Sequence, residues 1–297
     1  MSPKKSTNLQ AFLPPMLLEK VDAPFDSNDY IHEPKIDGIR LLLSHTQGVT
    51  RLFTRHNNDY TIQYPELLSV PFTEDILVDG EVACVDPNSG AICFESIMER
   101  FSAKKTDKIR RLSEKLPANY IIFDILRYKG EDLRGLPLVK RKEILTDIVL
   151  PANPHISKIP YFDGAGIALF KQIRSQGWEG TVSKLKNSTY VGHRSSEWLK
   201  IINWTYIDIY ITGSRKGDFG WLASIPDSNG SMKPVGIIEL GVTPKQRKAF
   251  YSVKDSLAAA EDDEYVYLRP ELKAKVKIRN WTRKGYLRSP AFVEFVL

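Results

Sequence analysis

The sequence is poor in cysteine and histidine, with two of the first, Cys84 and Cys93, and five of the second among 297 residues. Two thiols without accompanying histidines make neither a disulfide framework nor a zinc site. Both are expected to be reduced structural residues, facing each other across a hairpin whose turn is Asp86-Pro87-Asn88-Ser89-Gly90. No apolar run approaches the length of a membrane span, and the start Met1-Ser2-Pro3-Lys4-Lys5-Ser6 lacks the apolar core of a secretory signal. A cytosolic protein without a membrane partner is the expectation. Internal repeats and low-complexity linkers are also missing, which sets repeat architectures aside. What is present is a length that suits two domains and an apolar content of 42%, enough for real cores. The formal charge of +6 and a pI near 9.1 favour a polyanionic partner, nucleic acid before a membrane surface.

One stretch organises the rest: Glu33-Pro34-Lys35-Ile36-Asp37-Gly38-Ile39-Arg40. Lys35 precedes a glycine turn and then Ile39, Leu41 and Leu43, whose alternation with Arg40, Leu42 and Ser44 suits a mostly buried strand. Pro34 stiffens the approach, and Gly38 is expected to let the backbone come close to a ligand. A neutral amine attacking a phosphoryl group gives a phosphoramidate, reactive enough to pass the group onward if nearby cations or a metal lower the ammonium pKa. The plain alternative is a solvated turn in which Lys35 contributes only charge.

Strand signals dominate the chain beyond this stretch. Residues 39–44 and 49–54 form a hairpin joined by His45-Thr46-Gln47-Gly48, with Lys35 near one end and Arg55 at the other. Residues 76–85 and 120–126 are two further apolar runs, carrying Asp79-Gly80-Glu81 and Asp124, and buried acids in strands need a reason. The basic segment 104–111 is a solvated helix or a phosphate-contacting surface. Helices are expected over 137–149, opening on a proline, and over 164–176, stopped by Gly177. Then Glu179-Gly180-Thr181-Val182-Ser183-Lys184 and Trp198-Leu199-Lys200 gather one carboxylate and several cations. Placed in the pocket of Lys35, Glu179 could hold a metal ion or the attacking amine, and Lys184 and Lys200 could neutralise phosphate oxygens.

These segments, in this order, resemble the ATP-dependent DNA ligases of the covalent nucleotidyltransferase superfamily, over nearly the whole chain. The stretch around Lys35 resembles the adenylation motif, Phe53-Thr54-Arg55-His56 the segment after it, and Leu77-Val78-Asp79-Gly80-Glu81 the strand whose glutamate holds the ribose. Ile122-Phe123-Asp124 resembles the strand whose ring stacks on adenine. The two later segments resemble those supplying a metal-binding glutamate and phosphate lysines, and Leu136-Pro137-Leu138 with Arg141-Lys142 is similar to the family's helix start. The resemblance implies that Lys35 takes AMP from ATP and passes it to the 5′-phosphate of a nick, where the 3′-hydroxyl displaces it. It implies Glu33, Arg40, Glu81, Phe123, Lys184 and Lys200 as nucleotide-binding residues, Glu179 and Glu81 as holders of Mg²⁺ or Mn²⁺, and Arg40, Arg55 and Arg194 on the DNA. Guanidinium forks suit phosphate oxygens.

The family's late motif usually carries a second lysine where this chain has Ile202, and an Arg-x-Asp-Lys segment usually follows the last strand, whereas this sequence ends at Phe295-Val296-Leu297. The first departure leaves Lys200, with Lys184, to do the work of a pair, and the second puts the efficiency of lysine adenylation in question more than the sealing of a nick already carrying AMP.

From Trp204 onward a separate domain is expected. Residues 204–213 and 234–242 read as strands, and Thr243-Pro244-Lys245-Gln246 as a capped helix start. In 272–279, Leu272, Ala274, Val276 and Ile278 alternate with Lys273, Lys275, Lys277 and Arg279, putting four cations on one face, which is either a solvated outer face or, because four like charges in a row repel, an anion contact. Trp281-Thr282-Arg283-Lys284-Gly285-Tyr286-Leu287-Arg288-Ser289-Pro290-Ala291-Phe292 resembles a run in the ligases' OB-fold domain, which makes Lys273, Lys275 and Lys277 DNA-contacting residues. The fold class expected is α+β: an antiparallel-sheet nucleotidyltransferase (ATP-grasp-like) domain over 1–203, then an OB-fold β-barrel over 204–297 that clamps duplex DNA, with ATP in the pocket between them. No further DNA-binding domain is expected ahead of Lys35. The chain resembles the compact form found in bacteria and their viruses, expected to act as a monomer, in the cytoplasm and at the nucleoid. An RNA ligase, an mRNA guanylyltransferase, a non-adenylating nick binder and a protein sealing only preadenylated ends are the alternatives.

Overall fold

The computed structural model describes residues 12–68, 72–86, 90–148, 150 and 153–296. The start at 1–6, the turn residues 87–89 and the helix end at Val149 lie outside the described residues. The chain divides into two compact units, Met1–Asn203 and Trp204–Leu297.

In the first unit the chain order is β1 (Leu17–Lys20), β2 (Ser27–Pro34), β3 (Ile39–Thr46), β4 (Val49–Thr54), β5 (Ile76–Cys84), α1 (Phe94–Phe101), α2 (Thr106–Lys115), β6 (Ala118–Tyr128), β7 (Glu131–Asp132), α3 (Leu138–Asp147), β8 (Ile156–Lys158), β9 (Phe162–Gly164), α4 (Gly166–Ser175), β10 (Gly180–Leu185) and β11 (Arg194–Ile202). Two sheets result. One runs β4-β3-β5-β6-β7 with β8 beside β6, the other β1-β11-β10-β2-β9. The side-chain period of two explains why three successive leucines on β3 are all buried. Leu41 and Leu43 join a core with Val78, Val82, Tyr120 and Ile122, whereas Leu42 turns the other way, into a second core shared with Ile31 of β2, Leu77 of β5 and Trp198 of β11. That second core brings the two sheets face to face.

Several boundaries differ from the sequence reading. The β3–β4 turn is only Gln47-Gly48, because both adopt positive φ, 50° and 74°, the geometry of a two-residue hairpin whose twist lets the strands pair up to Thr46 and Val49. The first predicted helix starts at Leu138, with Pro137 as its cap rather than its first residue. The second begins two residues late, since Gly164 ends β9 at φ 68°. Its stop is as expected: Gly177 takes φ 68°, its N–H donates to Arg174 O, and Trp178 N–H donates to Ile173 O. Cys93 N–H donates to Cys84 O across the predicted hairpin. Cys84 is a free thiol whose burial pushes its pKa up to about 12, which makes it inert.

The second unit contains β12 (Thr205–Arg215), β13 (Trp221–Pro226), β14 (Met232–Ile238), α5 (Pro244–Leu257), β15 (Ala258–Glu261), β16 (Tyr265–Leu268), β17 (Lys273–Ile278) and β18 (Ala291–Val296). Long β12 pairs β17 through its first half and β16 through its second, with β13 on its other edge. A parallel bridge from Leu240 to Ala291 brings the end of β14 to β18 and curls the sheet into a barrel. β14 itself is shorter than expected, stopping at Ile238. Trp221 fills the barrel, packed by Phe250 of α5 at 4.6 Å and by Phe292 at 5.5 Å. The capping box read from Thr243 and Gln246 is formed in both directions. The run 281–292 has a structural explanation: Gly285 turns at φ 76°, and Leu287 and Phe292 enter the barrel core. Among the described residues, no helix is long and apolar enough to cross a membrane.

Candidate active site

Lys35 directly follows the last residue of β2, and its backbone N–H donates to Gly180 O at 2.8 Å, tying it to the start of β10. Gly180 must be glycine there: at φ 149° a Cβ would lie 2.0 Å from Ile201 O. The Lys35 ammonium meets Glu179 Oε2 at 2.7 Å, with 20% of the lysine side chain and 7% of the glutamate side chain exposed. The solvated-turn alternative is excluded by that burial. Gly38 serves the fold rather than a ligand, since a Cβ there would come within 2.2 Å of Val82 O on β5.

Lys35 lines a cavity of about 240 Å³ with Glu33, Arg40, Arg55, Glu81, Phe123, Lys184, Arg194, Trp198 and Lys200. Every predicted nucleotide-site residue is thus in one place, and Glu179 reaches it through Lys35. The residues that line this cavity all belong to the first unit. Apolar walls come from Leu17, Leu18, Ile36, Ile159 and Val182, which the sequence reading missed because isolated aliphatic residues carry no chemical signature.

Strand geometry explains the convergence. Arg40 shares the face of Leu42, Glu81 and Asp79 that of Leu77, and Glu33 that of Ile31, and all three leucine or isoleucine positions belong to the core between the sheets. Phe123 arrives by a bulge: Asp79 pairs Asp124 and Gly80 pairs Ile122, so Phe123 has no partner on β5 and its ring turns toward the cavity.

That register sets two aspartates opposite each other, and each has its own arginine. Arg40 grips Asp79 through Nε at 3.0 Å and Nη2 at 2.6 Å, while Nη1 donates to Met16 O at 2.7 Å. Tyr190 OH also donates to Asp79, at 2.6 Å. Burial works against the Arg40 charge, but Asp79 outweighs it and holds the guanidinium above its ordinary pKa. Arg141 grips Asp124 with two bonds of 2.9 Å, both side chains fully buried, and also donates to Leu136 O and Ser188 O. These partners answer why the strands hold acids at all. Arg40 is thereby engaged inside the protein, which leaves Arg55 and Arg194 as the exposed arginines at the cavity rim. Arg55 donates to His56 and Arg194 to Leu18 O.

Glu33, 2% exposed, lies between the ammonium groups of Lys142 and Lys184, the second at 2.7 Å. Lys142 was read only as part of a helix start. Lys184 also sits over the rings of Phe123 at 4.4 Å and Trp198 at 4.2 Å. Burial lowers its pKa to about 8 despite Glu33. Burial raises that of Glu81 to about 8, only partly offset by Lys35 and Arg40 and reinforced by Glu179. Two carboxylates, Glu81 and Glu179, beside a cationic pocket fit Mg²⁺, which takes one or two protein carboxylates and fills its shell with water and phosphate oxygens. Among the described residues no group of three or more metal-ligating side chains occurs, so a metal here would depend on bound phosphate. Ile202, where a second lysine was expected, is buried and pairs Gly180.

The remaining predicted residues, Lys273, Lys275 and Lys277, stand on β17, whose Ala274, Val276 and Ile278 are fully buried. The repulsion argument for this row is weaker than the sequence suggested. Lys273 meets Asp208 at 3.3 Å, Lys275 meets Glu294 at 3.1 Å, and Lys277 lies over Trp204 at 5.2 Å.

The family model for the ATP dependent DNA ligase domain matches residues 15–201. The SPbeta prophage-derived DNA ligase-like protein LigB of Bacillus subtilis (strain 168) is 37% identical over 282 residues, 95% of this chain and 98% of that protein. The bifunctional non-homologous end joining protein LigD of the same organism is 28% identical over 287 residues, and the chain spans 46% of its length. Among solved structures, a Lig E DNA ligase aligns over 95% of this chain and 98% of its own with a TM-score of 0.65 at 19% identity. A mycobacterial DNA ligase D complexed with ATP aligns over 96% and 95% with a TM-score of 0.58 at 24% identity.

Proposed function

This chain belongs to the ATP-dependent DNA ligase family, and from that membership we propose that it seals nicks in duplex DNA through an AMP carried on Lys35. The fold is the nucleotidyltransferase sheet pair followed by an OB-fold barrel. On our reading residues 1–203 form the adenylation domain and 204–297 a DNA-binding domain. The observation that carries the proposal is the Lys35 amine fixed 2.7 Å from Glu179, at a cavity that also presents Glu33, Glu81, Phe123, Lys184 and Lys200.

In the proposed reaction the Lys35 nitrogen, once its extra proton has left, bonds to the α-phosphorus of ATP while the bond to the bridging oxygen breaks and pyrophosphate departs. Glu179 is the acceptor nearest that proton and aims the amine. The 5′-phosphate at the nick then takes the AMP from Lys35. The 3′-hydroxyl oxygen attacks that 5′-phosphorus, and AMP leaves. Each step is displacement at phosphorus, so fixed positive charge supplies most of the acceleration. Lys184, held by Glu33 between two rings, and Lys200 provide it without reorganising. Glu179 and Glu81 would hold Mg²⁺, which when bound neutralises phosphate oxygens. Phe123 offers its ring to adenine. Arg55 and Arg194 at the rim, with Lys273, Lys275 and Lys277 on the barrel, contact DNA phosphates, and Arg40 acts mainly as a positioning residue that braces β3, β5 and Phe123.

The test is sealing of a labelled nick in duplex DNA with ATP and a divalent metal, beside the same nick in RNA. Wild type is expected to join the DNA, and Lys35→Ala to bind the nick without joining it. Joining of RNA alone, or of nothing, contradicts the reading.

A further inference from the structure

Residues 104–115 hold six cations, Lys104, Lys105, Lys108, Arg110, Arg111 and Lys115, against the carboxylates Asp107 and Glu114. Four of the chain's six net positive charges are concentrated in those twelve residues. None of them lines the cavity. On α2 the turn of 3.6 residues brings Lys108, Arg111 and Lys115 into one row, since they are spaced three and four apart. Ile109 and Leu112, each 5% exposed, anchor the helix through a small core with Ala103 and Leu116. Arg111 and Lys115 are exposed and Lys108 is half-buried.

The row differs from other basic positions in the molecule. Lys186 meets Asp163, Lys216 meets Glu261 and Lys273 meets Asp208. Among the described residues, the ion pair on α2 is Arg110 with Asp107 at 3.9 Å, and Lys108, Arg111 and Lys115 meet no carboxylate. Like charges held in a row on a rigid helix repel, and an anion of matching spacing relieves them. The row is about 10 Å long, which spans roughly three phosphates of one duplex strand. A membrane surface fits poorly, because the apolar side of α2 that would enter a lipid layer is already buried in the fold.

We propose that this face of α2 binds the phosphate backbone of duplex DNA flanking the reacting end. The identity of the polyanion as DNA rests on the ligase reading. α2 ends two residues before β6, and Ala118 at the start of β6 lies about 17 Å along the strand from Phe123. The contact gives the enzyme a hold on duplex that does not depend on the nick.

The experiment compares wild type with a triple variant, Lys108→Ala, Arg111→Ala and Lys115→Ala. Binding to intact and nicked duplex is followed by fluorescence anisotropy between about 50 and 200 mM salt. The expected result is a fall in the slope of log affinity against log salt by about two to three units on both duplexes, roughly 0.9 for each phosphate that no longer meets a cation. AMP uptake without DNA and the melting temperature should stay unchanged. An unaltered slope in a folded variant overturns the proposal, as does binding of wild type to phosphatidylserine vesicles that the triple variant loses while its duplex slope is kept. A changed slope in a protein that joins no ends upholds the row and removes the ligase reading, so the two failures are distinguishable.

Discussion

Lys184 carries its charge where burial opposes it, and this has a consequence for stability. In the unfolded chain a lysine releases its proton near pH 10.4, whereas burial brings the folded value to about 8. Between those values the unfolded state binds more protons than the folded one, so stability rises with pH across that window. Urea unfolding should show such a rise between about pH 8 and 10 in wild type and a flatter profile in Lys184→Met, and matching profiles would refute the burial argument. Phe123 is the other residue with a single measurable task. Base stacking on an aromatic ring contributes about 1–3 kcal/mol, so Phe123→Leu, which keeps the packing, should raise the KM for ATP by roughly five- to 150-fold while leaving sealing of a preadenylated nick near wild type. Both residues were legible in the sequence as members of motifs. Their neighbours were not: Lys142 lies 109 positions from Glu33, its ion-pair partner, and no local pattern announces such a contact.

At the scale of elements, the site depends on β5 and β6 being out of simple register. The bulge that presents Phe123 also sets Asp79 opposite Asp124, and the sheet tolerates the pair because Arg40 neutralises the first and Arg141 the second. Removing one partner of a buried ion pair leaves the other uncompensated, at a cost of about 3–5 kcal/mol. Arg141→Met should therefore lower unfolding free energy by about that amount, measured by denaturant titration, whereas Arg141→Met combined with Asp124→Leu should recover much of it. Alternation and turn chemistry in the sequence led to most strands and to the capping box at Thr243, since those signals are local. The bulge, the two-residue β3–β4 turn and the late start of α4 escaped, because each is decided by partners far along the chain, such as Asp26, whose carboxylate accepts from Ile167 N–H.

At the scale of the whole molecule, the cores are separate: the apolar clusters of the first unit draw on residues up to Trp198, and that of the second on Ile207 onward. Thermal unfolding followed by calorimetry should show two transitions, of which ATP with Mg²⁺ raises only the one belonging to residues 12–203, because ligand stabilises the unit that binds it. A single transition, or a shift in both, would count against an ATP site confined to the first unit. The division near residue 203 was visible as a restart of strand patterning after Trp204, while the place of the cavity was not, since opposing sheet faces are set by tertiary contacts. The account as a whole rests on one nitrogen atom accepting an adenylyl group. The most direct measurement is peptide mapping by mass spectrometry after incubation with ATP and Mg²⁺: the account predicts one AMP, attached to the peptide containing Lys35 and missing in Lys35→Ala, and an unmodified wild-type protein, or AMP on any other residue, would contradict it.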